Sequence, residues 1–414
     1  MLQKVSLGVK DIDRYRMLVS SELMDELVEL GDSLNGLRLC HINSTPFGGG
    51  VAELLSSHVP LLRGLGIQAD WQIIRGDHRF FTITKSLHNA LQGQGYPLIK
   101  MEATQRAYKS NNLANARELD PDYDVFIVND PQPAALRHFC DVPHAKWVWR
   151  CHVDSSEPDS TTWQFLRPFV EEYDAAIFTL DKFAPADLRV PLLEFIPPAI
   201  DPVNSKNMSL PSEIWREMLD NLGIDKSRPL VAQISRFDPW KDPFGVMEAF
   251  RLARERVPGL QLALVTCFAG DDPEAWDIYA AVNDEAAKDA DIHILSNLTG
   301  VGNMEVNAFQ SASAVVIQKS IKEGFGLVVA ESLWKGTPVV AGNTGGIPMQ
   351  MDGRLRDYLV GSIEECAEKM VYLLEHRDVA EELGREGKEH IRQHFLMPRL
   401  LRDELRLVKA IVRG

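Results

Sequence analysis

Short β-branched and apolar runs alternate with helix-period stretches along almost the whole chain, the rhythm of strand-helix-strand units around parallel sheets. A first series predicts strands at Leu37–Ser44, Ala69–Ile74, Asp124–Asn129, Lys146–His152, Ala175–Thr179 and Glu194–Ile196, with helices such as Val51–Leu65 and Thr162–Glu172 between them. Three prolines and several polar residues interrupt the periodicity over Ile196–Asn207 and mark a linker. A second series predicts strands at Leu230–Ile234, Gln261–Cys267, Ile292–Leu295, Ala314–Gln318 and Pro338–Ala341, with a helix over Phe244–Val257 whose apolar stripe is imperfect. After Glu364 the pattern is helical and ends in an amphipathic helix begun near Pro398. The expected fold class is α/β, with two Rossmann-like doubly wound parallel-sheet domains, 1–200 and 201–396, facing across a cleft. The closing helix, 397–414, is expected to pack back on the first domain.

Composition adds mainly exclusions. The 414 residues are 45% hydrophobic and 25% charged, which suits large globular cores and neither disorder nor a fibrous repeat. Lys plus Arg total 44 against 59 Asp plus Glu, a net charge of -15 that repels phosphate backbones and anionic lipid, so neither nucleic acid nor a membrane is an expected partner. No apolar run approaches the roughly 18 residues of a spanning helix, and the first residues lack the basic-then-apolar layout of an export signal. A cytoplasmic location is expected. Cys40, Cys140, Cys151, Cys267 and Cys366 are widely spaced without a C-x-x-C, so reduced thiols are expected rather than a disulfide framework or a zinc site.

In doubly wound sheets ligands bind beyond the carboxyl ends of the strands, and the chemically suggestive residues fall there. The stretch AVVIQKSIKEGFGLVVAESLWKG follows a strand with Glu323 and, eight positions on, Glu331. Were the span helical at about 1.5 Å per residue, the carboxylates would lie roughly 12 Å apart, too far for a glycosidase pair at about 5 to 9.5 Å but suited to the two ends of one extended ligand. Gly324, Phe325 and Gly326 let backbone N–H groups at a helix start approach a diphosphate. The alternatives are a helix-cap neighbour for Glu323 and a surface acid for Glu331. Arg236 and Lys241, in SRFDPWKDP, can pair with a diphosphate as fork and point charge, or be solvated loop charges beside Asp238 and Asp242.

In the first half, Gly48, Gly49 and Gly50 lie between a strand and a helix, where they form either a sugar- or phosphate-admitting loop or a simple tight turn. Gly345 and Gly346 repeat the arrangement in the second half. His152 and Asp154, two apart at a strand end, can hydrogen-bond sugar hydroxyls, or serve in packing and capping; a metal would need more ligands. Asn129, Asp130 and Gln132 either face the same cleft or form a proline turn.

The order of these signals resembles the retaining nucleotide-sugar glycosyltransferases of family 4, which have the two-domain B-type (GT-B) fold. More narrowly, NDPQPAAL, WRCHVD, SRFDPWKDP, GVGNMEVNAFQSAS and EGFGLVVAESLWKGTPVV resemble the trehalose glycosyltransferring synthases and the related phosphorylases. The resemblance implies that Glu323 faces the transferred glucose, Glu331 the nucleotide ribose, Arg236 and Lys241 the donor phosphates, and His152 a sugar. It implies that the two glycine turns approach donor or acceptor, and that Asp130 and Gln132 contact the acceptor. The family's D-G-x-x-G-F/Y-L-V run reads MDGRLRDYLVGS here and lacks the second glycine.

The activity so implied is reversible formation of α,α-trehalose from a nucleoside diphosphate glucose and glucose, with retention, no prosthetic group, and two cationic side chains in place of a catalytic metal. A homodimer is a candidate assembly. The rival readings are a trehalose phosphorylase using inorganic phosphate, a nucleotide-sugar 2-epimerase and a non-catalytic nucleotide-sugar binding protein.

Overall fold

In the computed structural model, which describes residues 1–47, 49–268 and 275–413, the alternating runs become two parallel sheets, each in its own compact unit. The chain passes between the units at Ala199–Ile200 and returns at Leu396–Met397.

The first unit is built on β1 (Gln3–Lys4), β2 (Arg38–Asn43), β3 (Gln68–Ile73), β4 (Val125–Asn129), β5 (Lys146–Cys151), β6 (Ala175–Phe178) and β7 (Leu192–Phe195), in the spatial order β1-β3-β2-β4-β5-β6-β7. All pairs are parallel except the short edge strand β1, which runs antiparallel to β3. Every residue of β4 is buried, as expected where helices cover both faces of a parallel strand and the apolar run is continuous rather than alternating. One face packs aromatic rings, with Phe126 stacked on Trp147 at 4.3 Å.

The last helix, Met397–Arg413, belongs to this unit and packs against the helices Ser21–Ser33 and Gly50–Gly64. Leu400, Leu401, Leu405 and Val408 form its buried stripe, and Glu404 lies in the same stripe with no exposure. Its Oε1 faces Nε2 of His58 at 2.5 Å and of His41 at 3.3 Å, and its Oε2 accepts from Arg150 at 2.9 Å. Burial opposes ionisation of Glu404, but the charges and hydrogen bonds of the two imidazoles outweigh it and hold the carboxyl well below its usual range. Burial also lowers the His41 pKa, against the raising effect of Glu404.

The second unit contains β8 (Leu230–Ile234), β9 (Gln261–Thr266), β10 (Ile292–Ser296), β11 (Val315–Gln318), β12 (Val339–Gly342) and β13 (Leu359–Val360), all parallel, in the order β10-β9-β8-β11-β12-β13. Helices Leu327–Trp334 and Arg377–His394 approach closely, because a Cβ on Gly384 would stand 1.9 Å from the Gly336 carbonyl oxygen. The divergent MDGRLRDYLVGS loop forms a short 3-10 turn over Gly353–Tyr358, anchored by buried Leu355 and Tyr358. Among the described residues the five cysteines are free thiols, and no helix is long and apolar enough to cross a membrane.

In both sheets the order reverses at one place, between β2 and β4 and again between β8 and β11. Loops leaving the carboxyl ends there diverge to opposite faces and open a crevice, the general ligand position of such sheets.

Two stability predictions follow from this packing. Gly384→Ala should destabilise the second unit by roughly 1 to 3 kcal/mol, read as an earlier urea transition, since the added methyl meets backbone rather than a movable side chain. Below about pH 6.5, unfolded His41 and His152 each bind a proton that the folded form resists, so stability should fall on acidification by up to about 1.4 kcal/mol per pH unit for each. Glu404 adds a second loss below about pH 4.3, where the unfolded carboxylate protonates first. Urea titrations from neutral pH to about pH 3 check this, and His41→Phe should make the first phase shallower, leaving the share that His152 contributes.

Candidate active site

The crevice of the second unit brings together the predicted residues that follow β8 and β11. Beyond β8, Arg236 is partly exposed, and the Asp238 side chain accepts from the Trp240 N–H at 2.9 Å and starts a 3-10 turn over Pro239–Lys241. Asp242 then adopts a left-handed conformation (φ 49°), caps the next helix through Gly245 N–H at 3.0 Å and pairs with Lys319. The two loops are stitched by the Ile321 N–H, which donates to the Trp240 carbonyl at 2.8 Å.

That stitching places the Lys241 ammonium 2.5 Å from Glu323 Oε2. The same oxygen accepts from Ser320 Oγ at 3.1 Å and Gln318 Nε2 at 3.3 Å, and Glu323 is only 8% exposed. It is therefore neither a simple cap neighbour nor a solvated acid.

The helix begins only at Leu327, since Gly326 is left-handed (φ 85°), so the span from Glu323 to Glu331 is not one helix and the helical-rise estimate does not apply. The turn Glu323–Gly326 is held by the second glycine pair. A Cβ on Gly345 (φ 56°) would stand 1.6 Å from the Glu323 carbonyl oxygen, and Gly346 N–H donates to that oxygen at 3.3 Å. Gly345 and Gly346 thus make room for protein backbone, where a ligand had been expected. Gly324 is partly exposed, whereas the Phe325 ring is buried against Phe395 and its carbonyl accepts from Gln350.

Glu331 is not the surface acid of the alternative reading. It is fully buried, with Oε1 2.9 Å from the Lys206 ammonium and Oε2 accepting from Gln310 Nε2 at 2.7 Å. The surface-acid alternative is excluded, and a ribose would have to share or displace these partners. Lys206 lies in the polar stretch taken as linker, so its pairing was not foreseen; an acid in the otherwise apolar helix LVVAESLW was the available signal.

In the first unit the predicted residues gather beyond β2, β4 and β5. Gly48 lies outside the described residues; Gly49 caps and Gly50 starts the helix after β2, and open space surrounds the Cβ position of Gly49. Asp130, at φ 68°, is the pivot of a turn: its Oδ1 accepts the His152 N–H at 2.9 Å, its N–H donates to the Arg150 carbonyl at 2.8 Å, and its carbonyl accepts from Trp149 Nε1 at 3.0 Å. The His152 ring meets Asn129 Oδ1 at 3.0 Å. Burial, assisted by the positive charge of Arg150, holds the His152 pKa well below its ordinary value, so a neutral imidazole hydrogen-bonds at this strand end.

Asp154 is buried and accepts from Ser156 Oγ at 2.6 Å. Gln132 keeps a buried Oε1 that has no hydrogen-bond partner among the described residues. The sequence reading passed over His41, His58, Arg150 and Glu404 altogether.

Comparisons with known proteins place the chain as a whole. The family model "Trehalose synthase, N-terminal domain" matches residues 41–185, and "Glycosyl transferases group 1" matches residues 216–390. The chain is 47% identical to the trehalose synthase of Rubrobacter xylanophilus over all of both chains. It is 28% identical to the trehalose phosphorylase of Pleurotus pulmonarius, over 85% of this chain but 54% of that one. An α,α-trehalose-phosphate synthase (UDP-forming) from Burkholderia xenovorans, 15% identical, superposes with a TM-score of 0.71 over 91% of this chain and 100% of its own. That structure shares the B-type glycosyltransferase fold. Identity near one half over the full length, with one family model matching within each unit, shows that the chain belongs to the trehalose synthase family and is a glycosyltransferase.

Proposed function

We propose that the chain transfers glucose from a nucleoside diphosphate glucose to glucose, with retention, to make α,α-trehalose reversibly. The observation that carries this reading is the Lys241–Glu323 contact at the second unit's strand reversal, with Arg236 leaving the neighbouring strand end. Departure of a nucleoside diphosphate leaves an oxocarbenium-like sugar and a growing negative charge on the diphosphate. A cation already aimed at that charge stabilises the transition state without reorganisation. Arg236 and Lys241 supply it in place of a metal ion, and Glu323 faces the glucosyl group.

The Lys241–Glu323 pair also sets the state before binding. An ammonium beside a carboxylate in a partly dry crevice is neutralised until a diphosphate arrives to share it, so the ion pair keeps Lys241 desolvated and aligned. Backbone N–H groups of the Glu323–Gly326 turn add donors for the phosphates. The ribose competes with Lys206 for Glu331. On the acceptor side, neutral His152 and the turn at Gly49 and Gly50 bond glucose hydroxyls. Attack comes from the face that the leaving group vacates, with a donor phosphate oxygen taking the proton of the incoming hydroxyl. The acceptor oxygen–C1 bond forms as the C1–phosphate oxygen bond breaks.

The phosphorylase reading has weaker support, because the phosphorylase relative matches over about half its own length. Incubating trehalose with a nucleoside diphosphate or with inorganic phosphate separates the two: free glucose and a nucleotide-sugar should appear only with the former.

Glu323→Gln and Lys241→Met should each lower kcat by roughly 100-fold or more, about 3 kcal/mol, with the fold retained by circular dichroism. Wild-type turnover in either would remove the assignment. Gly345→Ala should cost activity through the displaced Glu323 turn, although the residue touches no substrate; a kcat above half the wild-type value would contradict that.

A further inference from the structure

The buried carboxylate of Glu404 is the group that the chemistry above does not use. An apolar residue would complete the Leu400, Leu401, Leu405 and Val408 stripe, and replacing buried ion pairs by packed apolar groups is often neutral or stabilising. Stability therefore gives little reason for an acid here. Its partners give a better one. Arg150 sits in β5 two residues before His152, and its carbonyl receives the N–H of Asp130, whose own carboxylate receives the N–H of His152. A second guanidinium nitrogen of Arg150 reaches the Ile196 carbonyl at 3.3 Å. His41 is in β2, two residues before its carboxyl end, and His58 is in the helix that Gly49 and Gly50 begin. One side chain from the end of the chain thus joins the three elements that carry the first unit's sugar-facing groups.

His41, His58 and Glu404 also place three ligand atoms within 4.8 Å of one another, as a metal site would. Arg150 already balances the single carboxylate, however, and a divalent ion beside it would leave excess positive charge in a fully buried site, which is costly. The cluster suits a proton and hydrogen bonds better than an ion.

We propose that Glu404 is a positioning residue for the sugar acceptor: through Arg150, His41 and His58 it fixes β5, β2 and the helix Gly50–Gly64 so that His152 and the glycine turn hold one geometry. This rests on the reading that those groups contact the acceptor. Glu404 touches no substrate and acts only through its partners.

The test is steady-state kinetics of trehalose formation from a nucleoside diphosphate glucose and glucose, well below the melting temperature. Glu404→Gln should lower Tm and raise the KM for glucose by about tenfold or more, while the donor KM stays within about twofold. The double variant Arg150→Met with Glu404→Leu strands no charge; it should regain Tm yet keep the raised glucose KM. A wild-type glucose KM in either folded variant overturns the proposal, leaving Glu404 a purely structural residue. Stoichiometric metal in the wild-type protein that is lost in Glu404→Gln overturns it too. His152→Ala separates the layers: a raised glucose KM there, beside an unchanged one in folded Glu404→Gln, defeats only the positioning role, whereas an unchanged KM in His152→Ala defeats the acceptor reading and the proposal with it.

Discussion

The turn at Glu323 is gripped at both of its polar ends: its carbonyl lies under Gly345, and its carboxylate meets Lys241. The rest of the second unit's site depends on this grip. Strands β8 and β11 are neighbours in space though far apart in sequence, so the loops leaving them must share one crevice at the strand reversal. Polar groups brought together there either pair with one another or wait for a ligand, because leaving them buried and unpaired is costly. Here they pair, and the pairing fixes the position of the Lys241 ammonium, the cation proposed to meet an anionic leaving group. The left-handed residues Asp242 and Gly326, one in each loop, let the chain turn sharply enough for the two side chains to meet.

The alternation of strand and helix was legible because parallel strands covered on both faces read as continuous apolar runs; VFIVN in β4 and LVAQI in β8 are examples. The placement of Arg236, Lys241, Glu323 and His152 just beyond strand ends was legible for a related reason, since strand ends can be located from pattern. What was not legible was side-chain fate. Glu331 and Glu404 look like acids on helices of ordinary amphipathic proteins, yet both are fully buried, because their cationic partners come from segments remote in sequence. In each case a local clue existed. Glu404 is four residues from Leu400 and from Val408 and therefore on the apolar face, where an acid is out of place unless something pairs with it. The condition behind the Glu323–Glu331 spacing estimate fails for a local reason: the helix starts only at Leu327, after left-handed Gly326.

Asp154 shows the limit of periodicity at a strand's last residue. The i, i+2 rule places side chains on one face only while the strand lasts, and β5 ends at Cys151. Beyond that point the direction of His152 is set by its hydrogen bonds to Asn129 and Asp130, and that of Asp154 by Ser156. Turn chemistry, not strand geometry, sets the hydrogen bonds of both.

The segment between the units follows the same logic of charged partners from afar. Its prolines cannot donate, and the carbonyls of Pro197 and Pro198 are each satisfied by the Arg399 guanidinium at 2.8 Å. A few residues on, Asn307 Nδ2 donates to the carbonyls of Ser205 and Met208, Trp334 Nε1 donates to that of Asn207, and Lys206 pairs with Glu331. The polar, proline-rich stretch that reads as a linker is therefore tied down on each side by the unit it adjoins. Polar composition there reflects the need for backbone carbonyls to be met by side chains where no strand or helix can meet them. The same Lys206 that anchors this segment holds the carboxylate proposed to receive the ribose, so under that proposal nucleotide binding and the anchoring of the crossing would draw on one ion pair.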